Sequence, residues 1–112
     1  MKERVLVTGG AAGIGRAVAA RCREDGYHPV VVDRAPSPDG DTIIADLSDP
    51  AETARALREA LDGGPITRLV NNVGVVCPAP VEEQTIAELD LVVSVNLRCA
   101  LQCLQATLPG MK

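Results

Sequence analysis

A glycine-rich segment near the start of the chain, and an aspartate downstream of it, are the residues best suited to ligand chemistry. Residues 5–15 read Val-Leu-Val-Thr-Gly-Gly-Ala-Ala-Gly-Ile-Gly, a short apolar strand followed by a turn that opens a helix. About 20 residues further on, a second apolar strand ends at Asp33. Glycines let the backbone approach a pyrophosphate, the helix N-terminus directs N–H donors at it, and a carboxylate can accept from both ribose hydroxyls. The pattern predicts a dinucleotide-binding half.

The elements that must position these residues alternate between apolar strands and helical patterns. We predict strands at residues 4–7, 30–32, 42–45 and 69–71. Their apolar runs are continuous, as in parallel strands that are covered on both faces. The βαβαβ order predicts right-handed crossovers and the strand order 3-2-1-4. The fold class we expect is α/β, a Rossmann-type doubly wound parallel sheet with flanking helices.

Helical periodicity and capping residues place the first helices. The first is predicted over residues 13–24. Its inward-facing stripe is predicted to comprise Ile14, Ala17, Val18 and Cys22. The second takes Ser48 as its predicted N-cap, with Pro50 in the first turn. Its inward-facing residues are predicted to be Ala54, Leu57 and Leu61. Thr85 and Glu88 form a capping-box pattern that opens a further helical region.

The last predicted helix carries two apolar stripes. One stripe comprises Leu97, Leu101, Leu104 and Leu108. The other lies about 150° round the helix axis and comprises Val92, Cys99, Cys103 and Ala106. A helix with two apolar faces needs two partners. One should be the sheet, and the other a second helix or a second subunit.

Composition argues against several classes of partner. The chain has 112 residues, a net charge of −4 and a single aromatic residue, Tyr27, so we expect no nucleic-acid binding. No apolar stretch approaches the ~20 residues of a membrane span, so we expect no membrane association. The four cysteines lack Cys-x-x-Cys spacing, and we interpret them as reduced thiols of a cytoplasmic protein. Cys99 and Cys103 alone are too few ligands for zinc, so no metal site is expected.

The glycine spacing, with Thr8 before it, resembles the Thr-Gly-x-x-x-Gly-Ile-Gly turn of the short-chain dehydrogenase/reductase family. Three further segments match that family in order, and the resemblance covers residues 5–112. The matching segments are Asp46-Leu47, Asn71-Asn72-Val73-Gly74 and Val95-Asn96. The resemblance implies an NAD(P)-dependent oxidoreductase that transfers hydride between a nicotinamide and a small alcohol or carbonyl substrate.

The resemblance also implies a set of residues that contact the nicotinamide dinucleotide. They are Gly9, Gly13, Ile14, Gly15, Asp33, Arg34, Asp46, Leu47, Asn72, Val73, Gly74 and Val95. The Asp46 carboxylate would accept from the adenine amino group. A carboxylate at Asp33 would repel a 2′-phosphate, which favours NAD over NADP. The adjacent Arg34 weakens this preference, because a nearby arginine can accommodate the phosphate.

Two asparagines acquire roles only from the resemblance. Asn71 would brace the central sheet. Asn96 would bend the last helix and hold a water in the proton relay to a catalytic lysine, which makes it the catalytic residue expected in this chain. In the family, the helix that corresponds to the last helix of this chain also joins the helices of a neighbouring subunit, so we expect a homo-oligomer formed through it.

The family's general acid/base is a tyrosine in a Tyr-x-x-x-Lys motif, assisted by a serine. Tyr27 is not followed by a lysine four residues on, and the last serine is Ser94. We therefore expect residues 1–112 to be an incomplete dinucleotide-binding domain, the N-terminal portion of an enzyme, and inactive alone. A fourth strand at the sheet edge and a two-faced last helix favour this view. The alternative is a non-catalytic dinucleotide-binding or assembly module.

Overall fold

The computed structural model describes residues 2–112 as a parallel four-stranded sheet with helices on both faces. Its elements, in chain order, are β1 Arg4–Thr8, α1 Gly13–Glu24, β2 His28–Asp33, β3 Asp41–Ile44, α2 Pro50–Asp62, β4 Ile66–Val70, a 3₁₀ turn Val81–Glu83, α3 Ile86–Val93, a π-helical turn Ser94–Arg98 and α4 Cys99–Met111. The sheet order is β3-β2-β1-β4, all parallel, which confirms the predicted topology and α/β fold class.

The strands extend beyond their apolar centres. β2 begins at His28 and β4 at Ile66, both earlier than the sequence predicts. In β4 the polar Thr67 and Arg68 separate the fully buried Ile66 from the apolar residues on which the prediction rests. At the centre of the sheet, Leu6 of β1 pairs with Val30 on one side and Leu69 on the other.

Two apolar clusters cover the two faces of the sheet. On one face Leu6, Ile66 and Leu57 pack with Cys99 and Cys103 of α4. On the other, the side chains that alternate with them in β1 and β2 pack against α1. Because successive strand side chains point to opposite faces, one continuous apolar run supplies both clusters.

The helix α1 has the predicted bounds but only part of the predicted inward face. Gly15 and Ala19 are its buried residues, while Ile14 is 78% exposed and Ala17 is also exposed. The contacting face is made of the smallest side chains, since the start of α1 lies close against the glycine turn. The predicted stripe is therefore right at Cys22, which packs against the core, and at the half-buried Val18, but wrong at Ile14 and Ala17.

The start and face of α2 also differ from the prediction. Asp49, rather than Ser48, is the N-cap, and its carboxylate accepts from the N–H groups of Ala51 and Glu52. A capping oxygen must come from the residue directly before the first helical position, and that position is Pro50. The buried residues of α2 are Thr53, Ala56, Leu57 and Ala60. Ala54 is half-buried and Leu61 is 37% exposed, so only Leu57 of the predicted set is fully buried.

The elements α3 and α4 and the π turn between them form one helical run that divides as predicted. Its start is capped by Thr85, whose hydroxyl accepts from the N–H of Glu88. One side packs on the sheet through Cys99, Cys103 and Thr107. The predicted leucine stripe is exposed and comprises Leu97, Leu101, Leu104 and Leu108. We call this stripe the leucine face.

Within residues 2–112, the run Ile86–Met111 is long and apolar enough to cross a membrane by length and composition, with a mean hydropathy of 1.3 over its most apolar stretch. The expectation that no apolar stretch approaches the length of a membrane span is wrong. The few charged residues of this run barely lower its mean hydropathy. Such runs also occur as core helices, and the buried side of α4 packs against β4 and α2.

Arg4 joins β1 to the end of α2. Its Nη1 donates to the carbonyls of Ala60 and Gly64 at 2.7 and 2.6 Å. Arg4→Met should lower the free energy of unfolding by about 1–3 kcal/mol, because carbonyls near a helix C-terminus lose a charged donor. Urea unfolding measures the change, with Arg23→Met, an exposed arginine on α1, as control. Equal stability of the two variants would contradict the assignment.

Candidate nucleotide-binding site

The glycine turn between β1 and α1 is a close backbone crossing. Gly9 has φ +68°, a left-handed conformation that favours glycine, and its N–H donates to the carbonyl of Val32 at 2.9 Å. A Cβ atom on Gly15 would overlap both the Gly9 carbonyl and the Asn72 amide. The first turn of α1 therefore lies directly against the end of β1, and no larger residue fits at position 15.

The N-terminus of α1 is left without a side-chain cap. Its N-cap is Ala12, and no side chain of residues 2–112 accepts a hydrogen bond there, whereas Asp49 caps α2. Intrahelical bonding starts with the Arg16 N–H, which donates to the Ala12 carbonyl. The N–H groups before it, and the positive end of the helix dipole, remain for an anion. This donor set fits a pyrophosphate.

Asp33, at the end of β2, ties the glycine turn to the neighbouring strand. Its Oδ2 accepts from the Ala11 N–H at 2.9 Å, and its Oδ1 accepts from the N–H groups of Arg34 and Ala35 at 2.6 and 3.2 Å. A carboxylate has about four acceptor sites, so Asp33 can still accept from a ligand hydroxyl. The carboxylate is thus fixed in place before any ligand arrives.

Asp46 is held in a similar way after β3. Its Oδ1 accepts from the hydroxyl and the N–H of Ser48 at 2.7 and 3.0 Å. These bonds, the hydroxyl first, lower the pKa of Asp46 from its ordinary value of 3.8, and the positive charge of Arg34 adds to the effect. The carboxylate is ionised at neutral pH and can accept from an amino group.

The end of β4 is fastened to the glycine turn by Asn72. Its Nδ2 donates to the carbonyls of Thr8 and Gly9, both at 3.1 Å. The Thr8 hydroxyl in turn accepts from the N–H groups of Asn72 and Val73, both at 3.1 Å. The expectation that Asn71 braces the central sheet stays a prediction, because the bonds to the glycine turn come from Asn72. The Nδ2 of Asn71 reaches only the Ala100 carbonyl, at 3.5 Å.

Asn96 lies in the π turn, and its side-chain amide pairs with the backbone of one residue. Its Oδ1 accepts from the Val75 N–H at 2.8 Å, and its Nδ2 donates to the Val75 carbonyl at 2.9 Å. The helix is irregular at this point, Ser94–Arg98, as expected for a bend. The amide therefore fixes the backbone that follows β4 against the last helical run.

These elements enclose one pocket of about 160 Å³ at the carboxyl ends of the strands. The predicted residues that line it are Gly9, Asp33, Arg34, Asp46, Leu47, Val73 and Val95. Its lining is mainly apolar and includes two aspartates, Asp33 and Asp46. The pocket lies where a doubly wound sheet binds its ligands, outside the carboxyl ends of the strands.

Four lining residues were missed from the sequence: Ala45, Ser48, Val75 and Leu91. Ala45 and Ser48 flank the predicted Asp46-Leu47 pair, and Val75 follows the predicted Gly74. Leu91 precedes Val95 by one helical turn, so helical spacing could have found it. The other predicted residues, Gly13, Ile14, Gly15, Asn72, Gly74 and Asn96, lie outside the lining of this pocket.

The cysteines of α4 form a separate buried pair. The hydrogen bond that the Cys103 thiol donates to Cys99, followed by burial, raises the pKa of Cys103, so its thiol stays protonated at neutral pH. All four cysteines are free. Within residues 2–112, no group of three His, Cys, Asp or Glu side chains could hold a metal ion.

The comparison with known proteins agrees with this geometry. The model of the family described as short chain dehydrogenase matches residues 3–112. The chain belongs to the short-chain dehydrogenase/reductase family. It is 35% identical over 118 residues to L-xylulose reductase of Mesocricetus auratus, covering 97% of this chain and 47% of that protein. The chain thus spans about half the length of the curated relatives it matches.

Solved structures of the family superpose closely on the chain. A blue fluorescent protein from a metagenomic library, in complex with NADPH, has a TM-score of 0.89 at 28% identity, covering 97% of this chain and 51% of its own. An oxidoreductase of Brucella ovis, in complex with a partially ordered NAD, has a TM-score of 0.86 at 25% identity, covering 99% and 58%. The family therefore includes proteins with either dinucleotide bound.

The overlap at Gly15 gives a test of the glycine turn as a binding site. Gly15→Ala should weaken ADP-ribose binding about tenfold or more, because the added methyl group forces the Gly9 turn away from α1. Isothermal titration of the purified protein measures the affinity. Gly26→Ala is the matched control, since Gly26 also has positive φ, +91°, but its Cβ would meet nothing within 4 Å. An unchanged affinity in Gly15→Ala, with both variants folded, would show that the turn does not carry the site.

Proposed function

We propose that this chain forms the NAD-binding part of an oxidoreductase that transfers hydride between the nicotinamide and a small alcohol or carbonyl substrate. The observation that carries the proposal is the uncapped start of α1, which faces a glycine turn that Asp33 holds in place. The bound NAD would supply the hydride acceptor or donor. Because the chain spans about half of its relatives, the activity is proposed for the protein to which it contributes.

Within that proposal, each element of the site has one task. The free N–H groups at the start of α1 would bind the pyrophosphate. The apolar walls that include Val73, Val95 and Leu91 would exclude water from the adenosine, and the Asp46 carboxylate would accept from the adenine amino group. Asn96 would act as a positioning residue that holds a relay water beside the fixed Val75 backbone.

The preference for NAD over NADP is proposed from Asp33. Its carboxylate borders the pocket and has an acceptor site left for a ribose hydroxyl, and it would repel a 2′-phosphate. Arg34 is exposed beside it and could offset part of that repulsion. The preference for NAD needs a test, because similar proteins such as the metagenomic fluorescent protein have NADPH or NADP bound.

We expect the purified protein to bind NADH about tenfold more tightly than NADPH, and Asp33→Asn to narrow that ratio by removing the like-charge repulsion. Fluorescence titration with each dinucleotide measures both affinities. Asp62→Asn, which removes an exposed charge at the end of α2, should leave the ratio unchanged. Tighter binding of NADPH by the unmodified protein, or the same ratio in Asp33→Asn, would refute the assignment.

We also propose that the protein is a homo-oligomer that assembles through the leucine face of α4, in a reducing, cytoplasmic compartment. Leu97, Leu101 and Leu104 border an exposed apolar hollow of about 490 Å³. Exposed apolar surface of this kind marks an interaction site. The four free thiols suit a reducing compartment.

Leu101→Glu should convert the oligomer to a smaller species, because a charge would be buried in the interface. Sedimentation velocity measures the change. Leu61→Glu, on the partly exposed side of α2, is the matched control and should leave the sedimentation coefficient unchanged. A monomeric unmodified protein, or identical sedimentation of Leu101→Glu and the unmodified protein, would contradict the proposed interface.

A further inference from the structure

Three polar side chains on one side of the last helical run reach across to the segment that leads into α2. Ser94, Arg98 and Gln102 follow each other at intervals of one helical turn, so their side chains lie one above another. We name this set the polar ladder. It belongs to neither apolar stripe of the helix.

Arg98 is the centre of the polar ladder. Its Nη2 donates to the Leu47 carbonyl at 2.8 Å and to the Ser94 hydroxyl at 2.7 Å. Its Nη1 donates to the Thr53 hydroxyl at 3.0 Å and to the side-chain oxygen of Gln102. Within residues 2–112, Arg98 forms no salt bridge, so its guanidinium serves as a fixed multiple donor to neutral oxygens.

Ser94 and Gln102 form further hydrogen bonds with the segment that leads into α2. The Ser94 hydroxyl donates to the Ser48 carbonyl at 3.0 Å, while it accepts from Arg98. The Gln102 amide donates to the Pro50 carbonyl at 3.3 Å. Together with the bond from Arg98 to Leu47, three carbonyls of residues 47–50 are bound by one side of one helical run.

The two sides that the polar ladder joins are also two walls of the nucleotide pocket. Residues 46–48 form one wall, and Leu91 and Val95 form another. Leu91 and Val95 lie on the same helical run as Ser94 and Arg98. The length of the polar ladder therefore sets the distance between these walls, which bound the proposed adenosine end of the site.

We propose that Arg98 is a positioning residue for the adenosine end of the cofactor site, acting through Leu47 and Ser94 rather than by touching the ligand. This inference rests on the proposed dinucleotide binding. Arginine suits the task because its planar fork donates in several fixed directions at once, which a lysine ammonium cannot reproduce.

The test compares ADP-ribose, which carries the adenosine end, with nicotinamide mononucleotide, which lacks it, by titration calorimetry on the purified protein. Arg98→Met should weaken ADP-ribose binding about tenfold and leave nicotinamide mononucleotide binding unchanged. Arg98→Lys should restore only part of that loss. Arg58→Met, which removes an exposed arginine of α2, is the matched control and should bind ADP-ribose as the unmodified protein does.

Ser94→Ala provides a second, smaller perturbation for the case in which Arg98→Met unfolds. It should also weaken ADP-ribose binding, and its effect should not add to that of Arg98→Met, because both break the same ladder. Thermal unfolding by circular dichroism, measured in parallel, separates stability from binding at a temperature at which every variant is folded.

The outcomes separate this inference from the proposed function. If the unmodified protein binds neither NADH nor ADP-ribose, the proposed function fails and the inference with it. If it binds both, and the folded ladder variants bind ADP-ribose with unchanged affinity while melting at lower temperature, the proposed function stands. Arg98 is then only a structural residue.

Discussion

The close crossing of the Gly9 carbonyl and the first turn of α1 at Gly15 is the constraint on which the other features of the site depend. The Asn72 amide donates to the same Gly9 carbonyl, so β4 is fastened to the crossing. Asp33 fastens β2 to it through the Ala11 N–H. Three neighbouring strands thus converge on one backbone turn. Because Gly15 has no side chain at this crossing, the N–H groups at the start of α1 can face a ligand.

The pocket is assembled from segments that follow different strands, and each segment is fixed by its own polar contacts. Ser48 holds Asp46 after β3, and Asn96 holds Val75 after β4. These contacts join side chains to the backbone, so they fix loop segments that have no regular structure of their own. A ligand would meet a site that is largely formed in advance, which reduces the ordering cost of binding.

Three sides of the last helical run have three different surroundings. Its cysteine and threonine side packs on the sheet, its polar ladder holds the segment before α2, and its leucine face is exposed. The π turn at Ser94–Arg98 lies where the first two of these sides meet.

The sequence by itself determined the strand order, the glycine turn, the bounds of α1 and the division of the last helix into buried and leucine sides. These follow from local pattern, because apolar runs, glycines and helical spacing each imply a backbone conformation. It did not determine the buried face of α1, where Gly15 and Ala19 were overlooked in favour of the exposed Ile14. It also did not show that Asn72 ties the end of β4 to the glycine turn. Those facts depend on how closely two elements approach and on which side of a strand end a residue lies. Only the tertiary structure decided them, just as it decided that Arg98 reaches Leu47 from the last helix. Contacts between residues far apart in the chain leave no periodicity in the sequence.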